Sequence, residues 1–284
     1  MKIDELLSDC YILAQNLEGF GYHDVECHYD PTVFLLSKEL EQKLPDVREQ
    51  IKAKGGYDGD LFRLNSCRIE NEKLHMYFSP VKFARVRASN AILNERLEDG
   101  LTVREKYVKD PRVLNDILAN SVSTATQVIT ADNKAIFKKR ADDLIINPGL
   151  FSNPVAGFLE GEDCLVNGVP NPFVNIRKEF LEELGVDIAP TDYKILGVVR
   201  FEPELRIDIC GKTRVNLTSD EINRLYKREP EGEYVFVDLS VANLDLLMKE
   251  RWSRTGKYGT FCMLASELGL KEVENYLEKL NLSN

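Results

Sequence analysis

The sequence predicts an α/β protein, built from layers of mixed strands and helices. Two segments, 63–78 and 125–137, each read as strand, polar turn and strand. A capped amphipathic segment at 171–186 is typical of a helix, and the apolar run 195–201 follows it as a further strand. Strands separated by helices in this way favour an α/β or α+β layered fold.

The bulk composition is that of a folded globular protein. The 284 residues are 43% hydrophobic and 30% charged, which is ordinary for such proteins. A formal net charge of −10 argues against nucleic acid or an anionic membrane as a general partner, because phosphates would be repelled. No apolar run approaches the roughly 18 residues of a membrane span, and acidic residues stand where a targeting peptide avoids them. We therefore expect a cytoplasmic protein without a membrane partner.

The first part of the chain suggests short helices around one hairpin. Apolar residues at helical spacing predict a helix over 3–18, and a β-like stretch follows at 32–36. A charged helical segment at 37–56 should be bent or broken at Pro45. After the hairpin, residues 88–118 are polar and have a composition typical of helical segments. We expect residues 1–118 to form an N-terminal α+β region.

The second part, residues 119–284, predicts a separate domain. After its first strand pair come a loop rich in Asn, Pro and Gly, one helix and the strand already noted. After the segment Arg206 to Leu217, the later elements predicted are a helix from Thr218, a strand from Tyr234 to Asp238 and two terminal helical stretches.

The helix after residue 171 has clear boundary signals. Asn171 is a good N-cap, and Pro172 suits the first helical position because its missing N–H costs nothing there. Gly185 is placed to end the helix in the left-handed conformation. One side of this helix is apolar and should face a core: Phe173, Ile176, Phe180 and Leu184.

Three glutamates share a neighbouring stripe of this helix. Glu179, Glu182 and Glu183 stand at i, i+3 and i+4, so their carboxylates lie close together. Like charges this close repel each other, and a hard divalent cation such as Mg²⁺ would make the arrangement favourable. An acidic pair near the end of an amphipathic helix is also the pattern of a solvated face, and both interpretations stand at this point.

The surrounding residues resemble a known motif. Residues 178–186, KEFLEELGV, resemble the core of the Nudix box, with Lys178 where that family has arginine. Residues 153–162 resemble the glycine-containing loop of the box. The spacing from loop to helix is longer than the family standard, and the extra residues lie within 163–171. The sequence is thus similar to the Nudix hydrolase superfamily.

Flanking segments resemble the UDP-glucose pyrophosphatase branch of that superfamily. They include Phe62 to Leu64 with its hairpin, the strand pair 125–140, the loop Pro148 to Leu150 and the ending around Trp252. The likeness covers residues 60–265. It implies a Nudix α/β/α sandwich with a mixed sheet, and an N-terminal region packed on it that contributes to substrate recognition.

The resemblance also implies a metal site and a reaction. Glu179, Glu182 and Glu183 would hold Mg²⁺, or Mn²⁺ in its place, with the Gly157 carbonyl as a further ligand. Lys178 would pair with a carboxylate and orient it. The implied reaction is hydrolysis of a nucleoside diphosphate-linked compound. For this branch the substrate is UDP-glucose or UDP-galactose, and the products are UMP and a sugar 1-phosphate.

The general base cannot be read from the box. Glu162 and Asp163 beside the loop, and Glu202 and Glu204 after a strand, are candidates for a base or an extra ligand. Arg140 is a candidate for contacting a phosphate. Each of these residues also fits an ordinary surface charge.

Other functions fit the same residues. One is a Nudix hydrolase of ADP-ribose, NAD or a CoA derivative, and another is a non-catalytic Nudix-fold binding protein. A structural α/β protein with an acidic helix is the simplest. The six cysteines contain no CxxC pair, and the three histidines look too scattered for a ligand cluster. The sequence does not give the oligomeric state.

Overall fold

The computed structural model describes residues 7–142, 148–225 and 232–282. In these ranges the strands are β1 (Cys10–Phe20), β2 (Val25–Tyr29), β3 (Asp60–Glu70), β4 (Lys73–Lys82), β5 (Val122–Ile129), β6 (Lys134–Arg140), β7 (Phe151–Ser152), β8 (Val155–Phe158), β9 (Leu165–Val166), β10 (Val169–Pro170), β11 (Tyr193–Phe201), β12 (Arg206–Arg214) and β13 (Gly232–Asp238).

The helices of the same ranges are mostly short, and the longest three lie after residue 171. They are α1 (Lys38–Glu41), α2 (Leu44–Ala53), α3 (Phe83–Arg87), α4 (Val103–Tyr107), α5 (Pro172–Leu184), α6 (Ser219–Leu225), α7 (Asn243–Lys249), α8 (Arg254–Leu268) and α9 (Leu270–Leu282). None of the described helices is long and apolar enough to cross a membrane.

An eight-stranded mixed sheet forms the middle layer. Its main order is β1-β11-β12-β5-β6-β13, with β7 paired to β6 and β8 paired to β5. The pair β12–β5 is parallel, and the other pairs of this sheet are antiparallel. Successive residues of β5 face opposite layers, because Val128 packs in the core under α5 and Ile129 in the core under α8. Helices on both faces confirm the predicted α/β class and its layered arrangement.

A second, three-stranded sheet packs beside this core. β4 lies between β2, to which it is parallel, and β3, to which it is antiparallel. Asn71 and Glu72 adopt left-handed backbone angles (φ 50° and 65°) and close the β3–β4 turn, which confirms the predicted hairpin. Leu64, Leu74 and Met76 on one face of this sheet are buried in the core that contains α5.

The strands β5 and β6 form a fork. They pair only at Val128–Ile136 and Ile129–Ala135. Beyond that point β8 takes the place beside β5, and β7 takes the place beside β6. The chain between β7 and β8 therefore lies at the opening of the fork, and this is where polar side chains collect.

The helix α5 begins and ends where its sequence signals place it. The side-chain oxygen of Asn171 accepts hydrogen bonds from the backbone N–H groups of Phe173 (3.0 Å) and Val174 (3.3 Å). Gly185 takes the left-handed conformation at φ 66°, which costs little without a Cβ. These caps fix the register in which the helix presents its glutamates to β8.

The predicted helix over 3–18 is wrong. Its first residues, 3–6, lie outside the described residues, and the remainder enters β1, which pairs with β11. Two register shifts interrupt this pairing, one between Ile12 and Ala14 and one between Gln15 and Phe20. In a strand with such irregularities, apolar and polar residues no longer alternate strictly along the sequence. The apolar residues of β1 therefore fall at spacings that are also typical of a helix.

The rest of the N-terminal part is less helical than predicted. Residues 32–36 form no strand, and residues 88–118 contain one short α-helix, α4, and a single 3₁₀ turn. The segment 37–56 is divided into α1 and α2, with Pro45 in the first turn of α2, as expected. The division of the chain into two parts after residue 118 stays a prediction. Strand β1, from the first part, belongs to the same sheet as the strands of the second part.

The cap of α5 can be tested by substitution. Asn171→Ala removes the oxygen that accepts two backbone N–H groups, and we expect it to lower the free energy of unfolding by about 1 kcal/mol. Asn171→Asp is the matched control, because it keeps the oxygen and should cost much less. Denaturant unfolding of both variants measures this, and equal losses would contradict the assigned cap.

Candidate functional site

The carboxylate of Glu179 lies against the backbone of Gly157. A Cβ built on Gly157 would stand 2.2 Å from Glu179 Cδ and 2.3 Å from each carboxylate oxygen. No side chain fits in that space, so α5 can approach β8 this closely only because residue 157 is glycine. The approach leaves Glu179 only 8% exposed.

The buried position of Glu179 changes its ionisation. Burial raises the pKa of Glu179 to about 7, Lys178 opposes the rise, and Glu182 and Glu183 add to it. A carboxyl group with this pKa exchanges a proton near neutral pH. A buried carboxyl group with a pKa shifted this far is a marker of a functional site.

Glu183 points to the fork of the sheet. Its Oε2 lies 3.2 Å from Lys138 Nζ, and its Oε1 accepts a hydrogen bond of 3.4 Å from the N–H of Ala156. Lys138 is 4% exposed, so this ion pair is shielded from water. Glu182, by contrast, is exposed on the next turn of the stripe.

The three glutamates are not gathered around one point. Among the described residues, one group of three His, Cys, Asp or Glu side chains has all its ligand atoms within 4.8 Å of one another, and it lies elsewhere. The carboxylates of α5 repel one another, and the ion pair with Lys138 holds Glu183 apart.

A cavity of about 310 Å³ opens at the fork. Its charged side chains are Lys138, Arg140, Glu183, Arg206 and Asp208. The lining also includes Ala125, Asn153, the segment from Ala156 to Phe158, and the hydroxyl-bearing residues Ser123, Thr124, Ser152, Ser253 and Thr255. Three cations beside two carboxylates make this a polar pocket that suits an anionic ligand with many oxygens.

Asp208 forms the wall of the cavity on the α8 side. It is 2% exposed, accepts a hydrogen bond from the Thr255 hydroxyl, and lies 3.7 Å from Arg206 Nη2. A buried carboxylate is costly unless it is paired and hydrogen-bonded. Thr255 and Arg206 meet that requirement, so Asp208 is held in a fixed position at the cavity.

Polar side chains behind the cavity fix the backbone at Gly157. The side-chain amide of Asn175 donates to Thr124 Oγ1 (2.8 Å), and that hydroxyl donates to the Gly157 carbonyl at 3.4 Å. Asn175 belongs to α5, Thr124 to β5 and Gly157 to β8. These hydrogen bonds therefore tie the helix, through β5, to the strand that holds the glycine.

Lys178 and Arg140 are two further residues that the sequence analysis singled out. Lys178 Nζ is 3.6 Å from Glu179 Oε1, so the lysine pairs with the buried carboxylate as a point charge. Arg140 lines the cavity near the end of β6. Its contact with a phosphate stays a prediction.

The four candidates for a general base lie outside the cavity lining. Glu162 and Asp163 are exposed in a turn before β9. Both oxygens of Glu202 accept hydrogen bonds from Arg104, at 3.1 and 2.6 Å. Glu204 is exposed. Their placement gives no support to a catalytic role, because a base needs a position within hydrogen-bonding reach of the reacting water.

Sequence reasoning missed Lys138 and Asp208. Lys138 belongs to a basic run that looks solvated, although it shares the face of β6 on which the buried Ile136 lies. Asp208 stands between Ile207 and Ile209, which are both buried. A charged residue between apolar neighbours indicates a buried charge, and a buried charge needs a partner. This signal was available in the sequence for Asp208.

No family model matches the sequence, and no curated protein matches it either. Solved structures offer distant similarities. The MutT protein from Methanosarcina mazei Go1 is 19% identical, with 49% of this chain and 89% of that chain covered, at a TM-score of 0.36. A Nudix hydrolase from Nitrosomonas europaea is 12% identical, with 52% and 90% covered, at a TM-score of 0.35. TM-scores this low carry no argument about function, so the function must be argued from the residues of the chain itself.

The contact between Gly157 and Glu179 can be tested by a double-mutant cycle. Gly157→Ala places a methyl group in the space of the carboxylate, and we expect it to lower the unfolding free energy by about 1–3 kcal/mol. In a Glu179→Ala background the carboxylate no longer occupies this space, so Gly157→Ala should lower the unfolding free energy much less. Additive losses, measured by chemical denaturation, would show that the two residues are not in contact.

The raised pKa of Glu179 predicts a pH-dependent stability. The folded state favours the protonated carboxyl, so this group destabilises the fold progressively as pH rises from about 4.5 towards 7. The Glu179→Gln variant has no carboxyl group at this position, so it does not lose stability in this pH range. In EDTA we expect the variant to gain about 1–3 kcal/mol over the wild type between these pH values, as measured by urea unfolding at several pH values. A difference that does not vary with pH would refute the assigned shift.

Proposed function

We propose that the chain is a Nudix-type hydrolase that cleaves a phosphoanhydride bond in a nucleoside diphosphate-linked compound with the aid of Mg²⁺. The observation that carries this proposal is the seating of Glu179 against Gly157. It joins the box-like helix to the glycine of the box-like loop, although their separation in the sequence is longer than the family standard.

The donor atoms of these residues are of the kind that a hard divalent cation prefers, although the three carboxylates stand apart in this structure. Glu179, Glu182 and Glu183 supply carboxylate oxygens, and Gly157 supplies a carbonyl whose hydrogen bond from Thr124 is long, at 3.4 Å. Mg²⁺ prefers oxygen ligands of this kind and retains several waters. When bound, such an ion neutralises the diphosphate and lowers the pKa of a coordinated water. Mn²⁺ fits the same donor set.

The cavity residues provide binding and orientation. Lys138, Arg140 and Arg206 place positive charge along the lining and suit the oxygens of a diphosphate. Lys178 pairs with Glu179 and limits the rotation of its carboxylate. Asp208 is the carboxylate of the cavity lining that is not among the proposed cation ligands, and we propose it as the acceptor of the proton of the attacking water.

We propose UDP-glucose or UDP-galactose as the substrate, with UMP and a sugar 1-phosphate as products. This choice rests on the resemblance over residues 60–265 to the UDP-glucose pyrophosphatase branch. ADP-ribose, NAD and CoA derivatives contain the same diphosphate and would meet the same cations. The expected partner is thus a small nucleotide compound in the cytoplasm.

A binding protein without turnover is the second candidate. The observation that favours it is the shielded ion pair between Lys138 and Glu183, because it occupies a carboxylate that the metal site needs. In that case the cavity would bind a nucleoside diphosphate and release it unchanged.

Product analysis tests the proposal. We expect Mg²⁺-dependent conversion of one member of a panel containing UDP-glucose, UDP-galactose, ADP-ribose, NAD and CoA, followed by ³¹P NMR. Glu179→Gln and Glu182→Gln should each lower turnover by at least about 100-fold, because each removes a charge that holds the cation. Circular dichroism should show that both variants remain folded.

Glu274→Gln is the matched control, since it removes an exposed glutamate from α9, and it should keep full activity. Turnover that persists in both helix variants would overturn the metal assignment. Binding of a panel compound without any product would favour the second candidate.

A further inference from the structure

Two neighbouring strands of the small sheet bring a glutamate and two histidines together. Glu26 of β2 is opposite His75 of β4, and His28 is opposite Tyr77. Residues two apart on a strand point to the same face, so all four side chains share the face turned away from the core. The long separation between β2 and β4 in the sequence explains why the histidines look scattered there.

Two of the three distances between the ligand atoms match those of a tetrahedral metal site. His28 Nε2 lies 3.4 Å from His75 Nδ1, and His75 Nδ1 lies 3.5 Å from Glu26 Oε2. One such atom from each residue lies within 4.8 Å of the other two. Ligands bound tetrahedrally to one Zn²⁺ at about 2.0–2.1 Å stand roughly 3.3 Å apart. The two measured edges therefore need almost no adjustment.

Neighbouring side chains hold these groups in position. Lys73 Nζ lies 2.6 Å from Glu26 Oε1, which leaves Oε2 directed at His75. The ring of Tyr77 stacks on His28 with centroids 4.4 Å apart, and Arg68 donates to the Tyr77 hydroxyl at 2.7 Å. Outer contacts of this kind orient metal ligands and raise affinity.

We propose that Glu26, His28 and His75 form a Zn²⁺ site with three protein ligands and a fourth position open to water. Two imidazole nitrogens with one carboxylate suit Zn²⁺ better than Mg²⁺, which prefers an all-oxygen set. The ion would join the short strand β2 to β4. This site is separate from the glutamates of α5 and does not depend on the proposed hydrolysis.

Calorimetry on the full chain tests the site. Zn²⁺ is titrated in the presence of excess Mg²⁺, which occupies oxygen sites, and we expect one Zn²⁺ per chain. His75→Ala and His28→Gln should each weaken binding by at least about tenfold. His28 is more exposed than His75, so its substitution disturbs the fold less. If one variant is unstable, the other still tests the site. Circular dichroism shows whether each variant is folded.

His23→Gln is the matched control, because His23 is exposed in the turn before β2 and should not alter the titration. Visible absorption after loading with Co²⁺ should show a tetrahedral spectrum that is lost in His75→Ala and His28→Gln. Absence of Zn²⁺ binding would overturn the proposal. Equal binding by folded variants and wild type would overturn it too.

Discussion

The absence of a side chain at residue 157 is the constraint on which the candidate site depends. It lets the carboxylate of Glu179 rest on β8, and β8 has a place beside β5 only because β5 and β6 separate after two residue pairs. The same fork opens the cavity that Lys138 and Asp208 line. Helix, glycine and fork therefore act as one unit, and a change in any of them moves the carboxylates.

The charges of this unit are arranged at a cost to the apo fold. Glu179 is buried with a raised pKa, and Glu182 and Glu183 add repulsion along the same stripe of α5. Lys178 and Lys138 offset part of that cost by pairing with Glu179 and Glu183. A divalent cation would offset more, which links the stability of the fold to the proposed chemistry.

Local signals in the sequence predicted the bounds of the helix α5 well. Asn171 and Gly185 mark the ends of α5 because caps are short-range features. The helix expected over 3–18 failed because β1 is defined by pairing with a strand far along the chain. The histidines of the small sheet were missed for the same reason: β2 and β4 are far apart in the sequence, and no local pattern encodes their pairing.

The central claim is that Glu179 and its neighbours on α5 hold a divalent cation against Gly157. Thermal unfolding with and without Mg²⁺, in the wild type and in Glu179→Gln, tests it most directly, because a ligand that binds the folded state raises its stability. The account predicts that Mg²⁺ raises the melting temperature of the wild type and leaves that of the variant almost unchanged. An equal rise in both proteins, or no rise in the wild type, would contradict it.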